Sequence, residues 1–374
     1  MADAPIPFSR PYLSGGEPEA VTAALAARRW SGDGPATQRA SDLLARVTGG
    51  RVLLTTSCTH ALELCALLLD LGPGDEVIVP AFTFVSTANA FALRGAHLVF
   101  ADVRPDTYNL DERLLPVTPR TRAIVPVHYA GVGCAMDAIG DAAASVGASV
   151  VEDAAHGLYG TWRGRPLGGL GRLAALSFHE TKNITCGEGG ALAIHDPALV
   201  SRAEILREKG TDRSQFFRGE IDKYTWRDLG SSYLPSELLA AVLVVQLEAA
   251  ERIQAERHRV WSAYAAGLAD WAARHGIGTP HVPEDCAHPA HLYYVTLPDL
   301  ARRTALAQHL RARGITAAFH YQPLHLSAFG QRYGMRSLPV TERAGDTLLR
   351  LPLYPELSDR DIARVVDAVT SFAP

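Results

Sequence analysis

Cysteine is scarce, with five residues in 374, at Cys58, Cys65, Cys134, Cys186 and Cys286. The number is odd and no two share a CxxC spacing, which argues against a disulfide framework or a zinc site and points to a reducing cytoplasm. Charge of one sign is lacking as well. Lys and Arg total 36 against 40 Asp and Glu, for a net charge of -4. That balance gives no global reason to expect nucleic acid or an anionic membrane as partner. No apolar run approaches the roughly 20 residues a bilayer span needs. The opening MADAPIPFSRPYLSGG has neither a basic head nor an apolar h-region, so it does not read as a signal peptide. Internal repeats and low-complexity linkers are also missing.

What is there is an ordinary globular composition, 47% hydrophobic and 20% charged. Between about residues 51 and 196 come short β-branched apolar runs: RVLLTT, EVIVPAFT, AHLVFADV, AIVPVHY, ASVVEDA, LAALSFH and GALAIHD. Ala- and Leu-rich stretches of helical spacing separate most of them, the pattern of a mainly parallel sheet covered on both faces. ETKNITCGEGG, between the last two runs, is too short for a comfortable crossover helix, so that pair is expected to be antiparallel. A helix is expected to start near Pro18 and a long one to run from Ser236 to about Leu268. LYYVTL and ITAAFHY are strand candidates. The last helix has Ser358 as N-cap and Ile362, Val365, Val366, Val369 and Phe372 on one face. The expected architecture is α/β, a large domain over residues 1–245 and a small α+β domain over 246–374.

Four segments carry candidate chemistry. In SFHETKNITCGEGG, Lys182 follows a buried strand and precedes glycines. A desolvated lysine there suits Schiff-base formation, although the segment alone fits a solvated turn lysine equally well. Asp153 of SVVEDAAH falls at the carboxyl end of a central strand, where open α/β sheets bind ligands. A carboxylate there can hold a pyridinium nitrogen protonated and make pyridoxal phosphate an electron sink; a helix N-cap is the bland alternative. Glu152 is expected on the opposite face by strand alternation. In TTSCTHALELCALLL, Ser57, Cys58 and Thr59 open a helix whose free N–H groups suit a phosphate, and Ser177 is a second hydroxyl near it. Phe84 follows a strand end in PAFTFVSTANA and offers either a stacking ring or core packing.

Together these segments resemble the DegT/DnrJ/EryC1/StrS family of sugar-nucleotide aminotransferases, over essentially the whole chain. The likeness runs from WSGDG at Trp30 to Gly34, through EDAAHG and GLGRLAALSFHETKNITCGEGGALAI, to FHYQPLH at Phe319 to His325 and RLPLYPEL. It implies the fold of aspartate aminotransferase (fold type I), with a seven-stranded sheet and a small C-terminal domain. It also implies Lys182 as the Schiff-base lysine, Asp153 on the pyridine nitrogen and His156 beside the cofactor's phenolic oxygen. Phe84 is then on the ring, and Cys58, Thr59 and Ser177 are in the phosphate cradle. Ser232 falls where many relatives place an asparagine that reaches the neighbouring subunit's cofactor phosphate, and Cys58 replaces a more common Gly or Ala.

RGAHLVFADVRPDTYNLDE, VPVHYAGVGCAMD and REKGTDRSQFFRGEIDKYTWRDLGSSYL are similar to the branch that aminates dTDP-4-dehydro-6-deoxyglucose at C4. That resemblance implies L-glutamate as donor, a dTDP-linked sugar as acceptor and a homodimer with active sites at its interface. Lys209, Arg213, Arg218, Lys223, Tyr224, Trp226, His320 and Tyr321 become candidates for substrate contact, with solvated surface charge the alternative for the cations. Amination at C3, another nucleotide sugar, or a non-catalytic binding protein on the same fold are the rival readings. Related dehydratases carry histidine at the Schiff-base position, and Lys182 argues against that activity.

Overall fold

The computed structural model describes residues 4–374. Its first helices begin where proline is tolerated. Pro18 lies in the first turn of α1 (Glu17–Ala26) and Pro35 opens α2 (Pro35–Thr48), positions that have no intrahelical acceptor to lose. No local side chain caps α2. Instead Glu237 accepts the backbone N–H groups of Gly34 (3.0 Å), Ala36 (2.8 Å) and Thr37 (3.0 Å) and the Thr37 hydroxyl. One acidic side chain thus satisfies the free donors of the first turn and sits at the positive end of the helix dipole.

β1 (Arg51–Thr55) leads into α3 (Cys58–Leu68), and β2 (Glu76–Pro80) into α4 (Val85–Ala92). β3 (His97–Ala101), β4 (Thr121–Ile124), α5 (Met136–Ala144) and β5 (Ser149–Asp153) follow. After a ribbon of β6 (Thr161–Trp162) and β7 (Arg165–Pro166), the strands β8 (Leu173–Ser177) and β9 (Gly190–Ile194) complete a seven-stranded sheet of order β1-β9-β8-β5-β4-β2-β3. From β8 to β3 all neighbours are parallel. β9 is antiparallel to both of its neighbours, with Ser177 opposite Gly190, as the short connection implied. Every residue of β2, β8 and β9 is buried, which is why these strands read as unbroken apolar runs.

α6 (Val200–Arg207) and α7 (Arg213–Phe217) precede the expected long helix, which proves to be two: α8 (Glu237–Glu248), capped by Ser236, and α9 (Ala250–His275). The backbone turns at Ala249 (φ -91°, ψ 4°). The two cores divide α9 further on. Leu243, Leu247 and Ile253 belong to the core against the sheet, whereas Val260, Tyr264, Leu268 and Trp271 belong to a second core. No proline or glycine marks the bend, and the helix continues past Leu268 until Gly276 (φ 63°) stops it.

The second core is built from β11 (Tyr293–Thr296), α10 (Leu300–Arg311), β13 (Leu348–Leu351) and α12 (Asp359–Thr370) packed on α9, with β12 (Ala318–Phe319) and α11 (Pro339–Thr347) beside them, while β10 (Cys286–Ala287) pairs with β6. β11, β13 and β12 form an antiparallel sheet, and ITAAFHY contributes only two residues to it. Ser358 caps α12 as expected, with Ile362, Val365 and Val369 buried. Packing crosses position 245 in both directions, since Leu247 and Ile253 lie in the core against the sheet. Ile6 bridges Ile315 and packs into the second core, so the N-terminal segment crosses to the smaller unit. Among the described residues no helix is long and apolar enough to cross a membrane.

Glu237→Ala leaves the α2 donors without an acceptor. It is expected to lower unfolding free energy by about 2–4 kcal/mol, read as a fall in the urea midpoint by circular dichroism. An unchanged midpoint would remove Glu237 from its place as the cap.

Candidate active site

The carboxyl ends of β5, β8, β1 and β2 open into one cavity of about 590 Å³, the edge where open α/β sheets bind ligands. Its floor comes from the sheet and α3, and part of its wall from β13. At the start of α3, Ser57 is in extended conformation and its hydroxyl accepts the His60 N–H at 3.1 Å. Thr59 Oγ1 lies 2.7 Å from Ser86 Oγ of α4. Gly190 packs directly on the Ser57–Cys58 peptide, where a Cβ would collide with backbone. The hydroxyls of Ser57, Thr59 and Ser177 and the N–H groups at the start of α3 line one part of this cavity, an arrangement that could hold a phosphate.

Asp153 is buried at the end of β5 with both oxygens engaged. Thr87 Oγ1 donates to Oδ2 at 2.7 Å and the Ala155 N–H donates to Oδ1 at 3.1 Å. Thr83 is hydrogen-bonded to Thr87 in turn, at 2.8 Å, so the carboxylate's orientation is fixed. Glu152 points away, as strand alternation requires. It accepts N–H groups of Gly168, Leu170 and Gly171 and pairs with His128 at 2.9 Å.

Lys182 lies on the turn after β8, where its own N–H donates to the His179 carbonyl at 2.9 Å. Burial pushes its ammonium down to about 8, with the Arg350 charge adding to that and Cys58 and Asp153 opposing it. The chain has only two other lysines, Lys209 and Lys223, and neither lines this cavity.

Three imidazoles crowd the wall opposite Asp153. His156 stacks on His291 with centroids 4.1 Å apart, and His320 stacks on Tyr321 at 3.8 Å. Burial, followed by neighbouring positive charge, pushes all three well below the ordinary histidine range, so they stand neutral. His156 Nδ1 is buried without a hydrogen-bond partner. His291 Nδ1 is held by Asn183 Oδ1 at 2.7 Å, and Asn183 donates to the Pro289 carbonyl at 2.8 Å. Phe84, at the start of α4, is 58% exposed and lines the cavity, so it is not a core residue.

The structure separates the remaining candidates. His320 and Tyr321 line the cavity, but Lys209, Arg213 and Ser232 line a second cleft of about 460 Å³ beside Trp30 and Asp33. There Lys209 and Arg213 pair with Glu208 at 3.0 and 3.5 Å. Arg218 pairs with Glu204 at 3.0 Å and Glu220 at 2.7 Å. Lys223, Tyr224 and Trp226 are exposed. The segment folds back on itself, with Thr211 bridging Trp226, which holds it off this chain's cavity. Sequence reasoning passed over Thr87, Asn183, His291 and Arg350. Thr87 lies inside PAFTFVSTANA, Asn183 inside SFHETKNITCGEGG and Arg350 inside RLPLYPEL, so three of the four stood in segments already singled out, and His291 immediately precedes LYYVTL.

The donor set fits pyridoxal phosphate: a helix-start cradle, a fixed buried carboxylate, a lysine of lowered pKa and an unpartnered buried imidazole nitrogen. Fold and site together define a pyridoxal-phosphate-dependent aminotransferase. The chain belongs to the DegT/DnrJ/EryC1/StrS aminotransferase family, whose family model matches residues 12–370. It is 33% identical over 377 residues to the spore coat polysaccharide biosynthesis protein SpsC of Bacillus subtilis, covering 97% of this chain and 96% of that one. Among solved structures it is similar to the aminotransferase TlmJ from Streptoalloteichus hindustanus, with TM-score 0.90, 33% identity and 98% of each chain covered. It is also similar to Spr1654 from Streptococcus pneumoniae, solved in a PLP form, with TM-score 0.89, 26% identity and 98% of each chain covered. The chain is accordingly a pyridoxal-phosphate-dependent sugar aminotransferase, acting on a sugar with an amino donor.

Lysine attacks an aldehyde only as the neutral amine. With Lys182 near 8 instead of its usual 10.5, the rate at which apoprotein takes up pyridoxal phosphate is expected to rise tenfold per pH unit below 8 and level off above it. Stopped-flow absorbance reads this, and a rate still climbing tenfold per unit through pH 10 would contradict the lowered value.

Proposed function

We propose that this enzyme transfers the amino group of L-glutamate to the C4 ketone of dTDP-4-dehydro-6-deoxy-D-glucose. The products are 2-oxoglutarate and a dTDP-4-amino-4,6-dideoxyhexose. The observation that carries the transamination is the convergence of Lys182, Asp153 and His156 on one cavity. The C4 position and the dTDP carrier rest on the sequence likeness of the segment from Arg207 to Leu234. The homodimer is supported by that segment's exposed Phe217, Tyr224, Trp226 and Leu229, an apolar surface suited to a second copy. Free cysteines throughout agree with work in the cytoplasm.

Bound pyridoxal phosphate supplies the electron sink for breaking a C–H bond beside an amine. The chain's own groups do the rest. Asp153 would keep the ring nitrogen protonated, and His156, whose Nδ1 has no partner, would stand beside the phenolic oxygen. Ser57, Cys58, Thr59 and Ser177 would hold the phosphate, and Phe84 would lie against the ring. Lys182 Nζ takes the proton from the α-carbon of glutamate and later delivers one to C4 of the sugar, base first and acid afterwards. Its pKa near 8 leaves both forms populated at neutral pH.

The test mixes holoenzyme with L-glutamate and follows the visible band of the lysine-bound cofactor, which is expected to disappear. Addition of dTDP-4-dehydro-6-deoxyglucose is then expected to give a product whose NMR spectrum shows nitrogen at C4, the coupling constants there separating galacto from gluco. A band that survives every amino donor sinks the transamination, and nitrogen at C3 sinks the C4 assignment. Lys182→Ala is expected to lose more than about 10⁴-fold in turnover, since the covalent step goes with the proton carrier, and Asp153→Asn about 100-fold or more.

A further inference from the structure

His156 lines the cavity with Lys182, yet its buried Nδ1 has no hydrogen-bond partner that could set the ring's rotation. What holds the ring is contact with other rings. It lies on His291 with centroids 4.1 Å apart and planes 27° from parallel, while Tyr129 and His320 stand farther off at 5.9 and 6.2 Å. The orientation of His156 therefore depends on what holds His291.

His291 is held from several sides. Asn183 Oδ1 lies 2.7 Å from its Nδ1, and Asn183 Nδ2 donates to the Pro289 carbonyl at 2.8 Å. Arg257 of α9 donates to the carbonyls of Ala290 and His291 at 3.1 and 2.5 Å. Gly131 (φ 83°) packs behind, where a Cβ would fall 2.3 Å from Pro289 Cδ and 2.9 Å from the His156 carbonyl. These contacts also place a proton. The Pro289 carbonyl can only accept, so the amide NH2 of Asn183 must face it and Oδ1 must face the imidazole. Oδ1 can only accept as well, so His291 carries its hydrogen on Nδ1. Burial, followed by His156, Lys182, Arg257 and Arg350, pushes His291 well below the ordinary histidine range, so Nε2 stays bare.

We propose that Asn183 is a positioning residue for the transamination: it fixes the place and tautomer of His291, and the His291 ring holds His156 with Nδ1 turned to the cofactor's phenolic oxygen. Asn183 adjoins Lys182 in the chain. One turn thus places the lysine and, through His291, the imidazole. The inference rests on the placement of His156 given above. A donor to the phenolic oxygen stabilises negative charge there, and so favours loss of the proton from the nitrogen that joins lysine to cofactor. Disturbing His156 raises the pH at which that proton leaves. An asparagine that only tied two loops together would leave this pH unchanged.

The test follows the visible band of the lysine-bound cofactor against pH in holoenzyme, each variant first matched to wild type by circular dichroism. His156→Ala, His291→Ala and Asn183→Ala are each expected to raise the midpoint by about one unit, tenfold in proton affinity. His291→Phe, which keeps a flat ring for the stack, is expected to stay within about 0.3 unit of wild type. A shift with His156→Ala but none with Asn183→Ala and His291→Ala overturns the inference alone. So does a His291→Phe midpoint displaced as far as that of His291→Ala, because a flat ring then fails to restore His156. No shift with His156→Ala overturns the placement of His156, and the inference with it. If Asn183→Ala does not fold, Asn183→Ser carries its comparison. None of these readings needs turnover, so failure of transamination with glutamate is seen separately.

Discussion

The site depends on one electrostatic constraint: positive groups are enclosed around a single deep carboxylate. Lys182 and Arg350 line a cavity whose interior anion is Asp153, and the intervening imidazoles are neutral because burial and those cations keep them so. Such a cavity favours anions and ligands that carry them. It also raises the fraction of free amine on the lysine at physiological pH, because desolvation penalises its charge. The same imbalance that recruits phosphate and carboxylate prepares the nucleophile.

The fold maintains this arrangement by fixing its parts from behind. Thr87 and Thr83 fix the carboxylate from α4 and the loop before it. Asn183, one residue beyond the lysine, fixes His291, which stacks beneath His156. Gly190 lets β9 press against the start of α3, so the antiparallel strand closes that side of the cavity. The smaller unit delivers Arg350, His320 and Tyr321 to the opposite wall, while the N-terminal segment crosses over to bring Phe8 against Arg350.

Much of this was legible in the sequence because it is local. Unbroken apolar runs gave the buried strands, a short Gly-rich link gave the antiparallel pair, and Asp153 and Lys182 were readable as strand-end residues. The break at Ala249 was not legible, since no proline or glycine marks it, nor was the passage of α9 from one core to the other between Ile253 and Val260. Ile6 pairs with Ile315, a contact that no periodicity reveals. The basic segment from Lys209 to Trp226 stands apart from this chain's cavity, with Lys209 and Arg213 paired to Glu208 and Arg218 to Glu204 and Glu220, a pairing that its spacing in the sequence does not show. Arg350 went unassigned within RLPLYPEL because its place in the cavity wall is a property of three dimensions.

The central claim is that Lys182 is the residue covalently joined to the cofactor. Reduction of the holoenzyme with borohydride fixes that bond, and peptide mass spectrometry then locates it among the three lysines of the chain. The account requires the pyridoxyl mass on the peptide containing Lys182 and on no other. Its appearance on Lys209 or Lys223, or on none of the three, would contradict it.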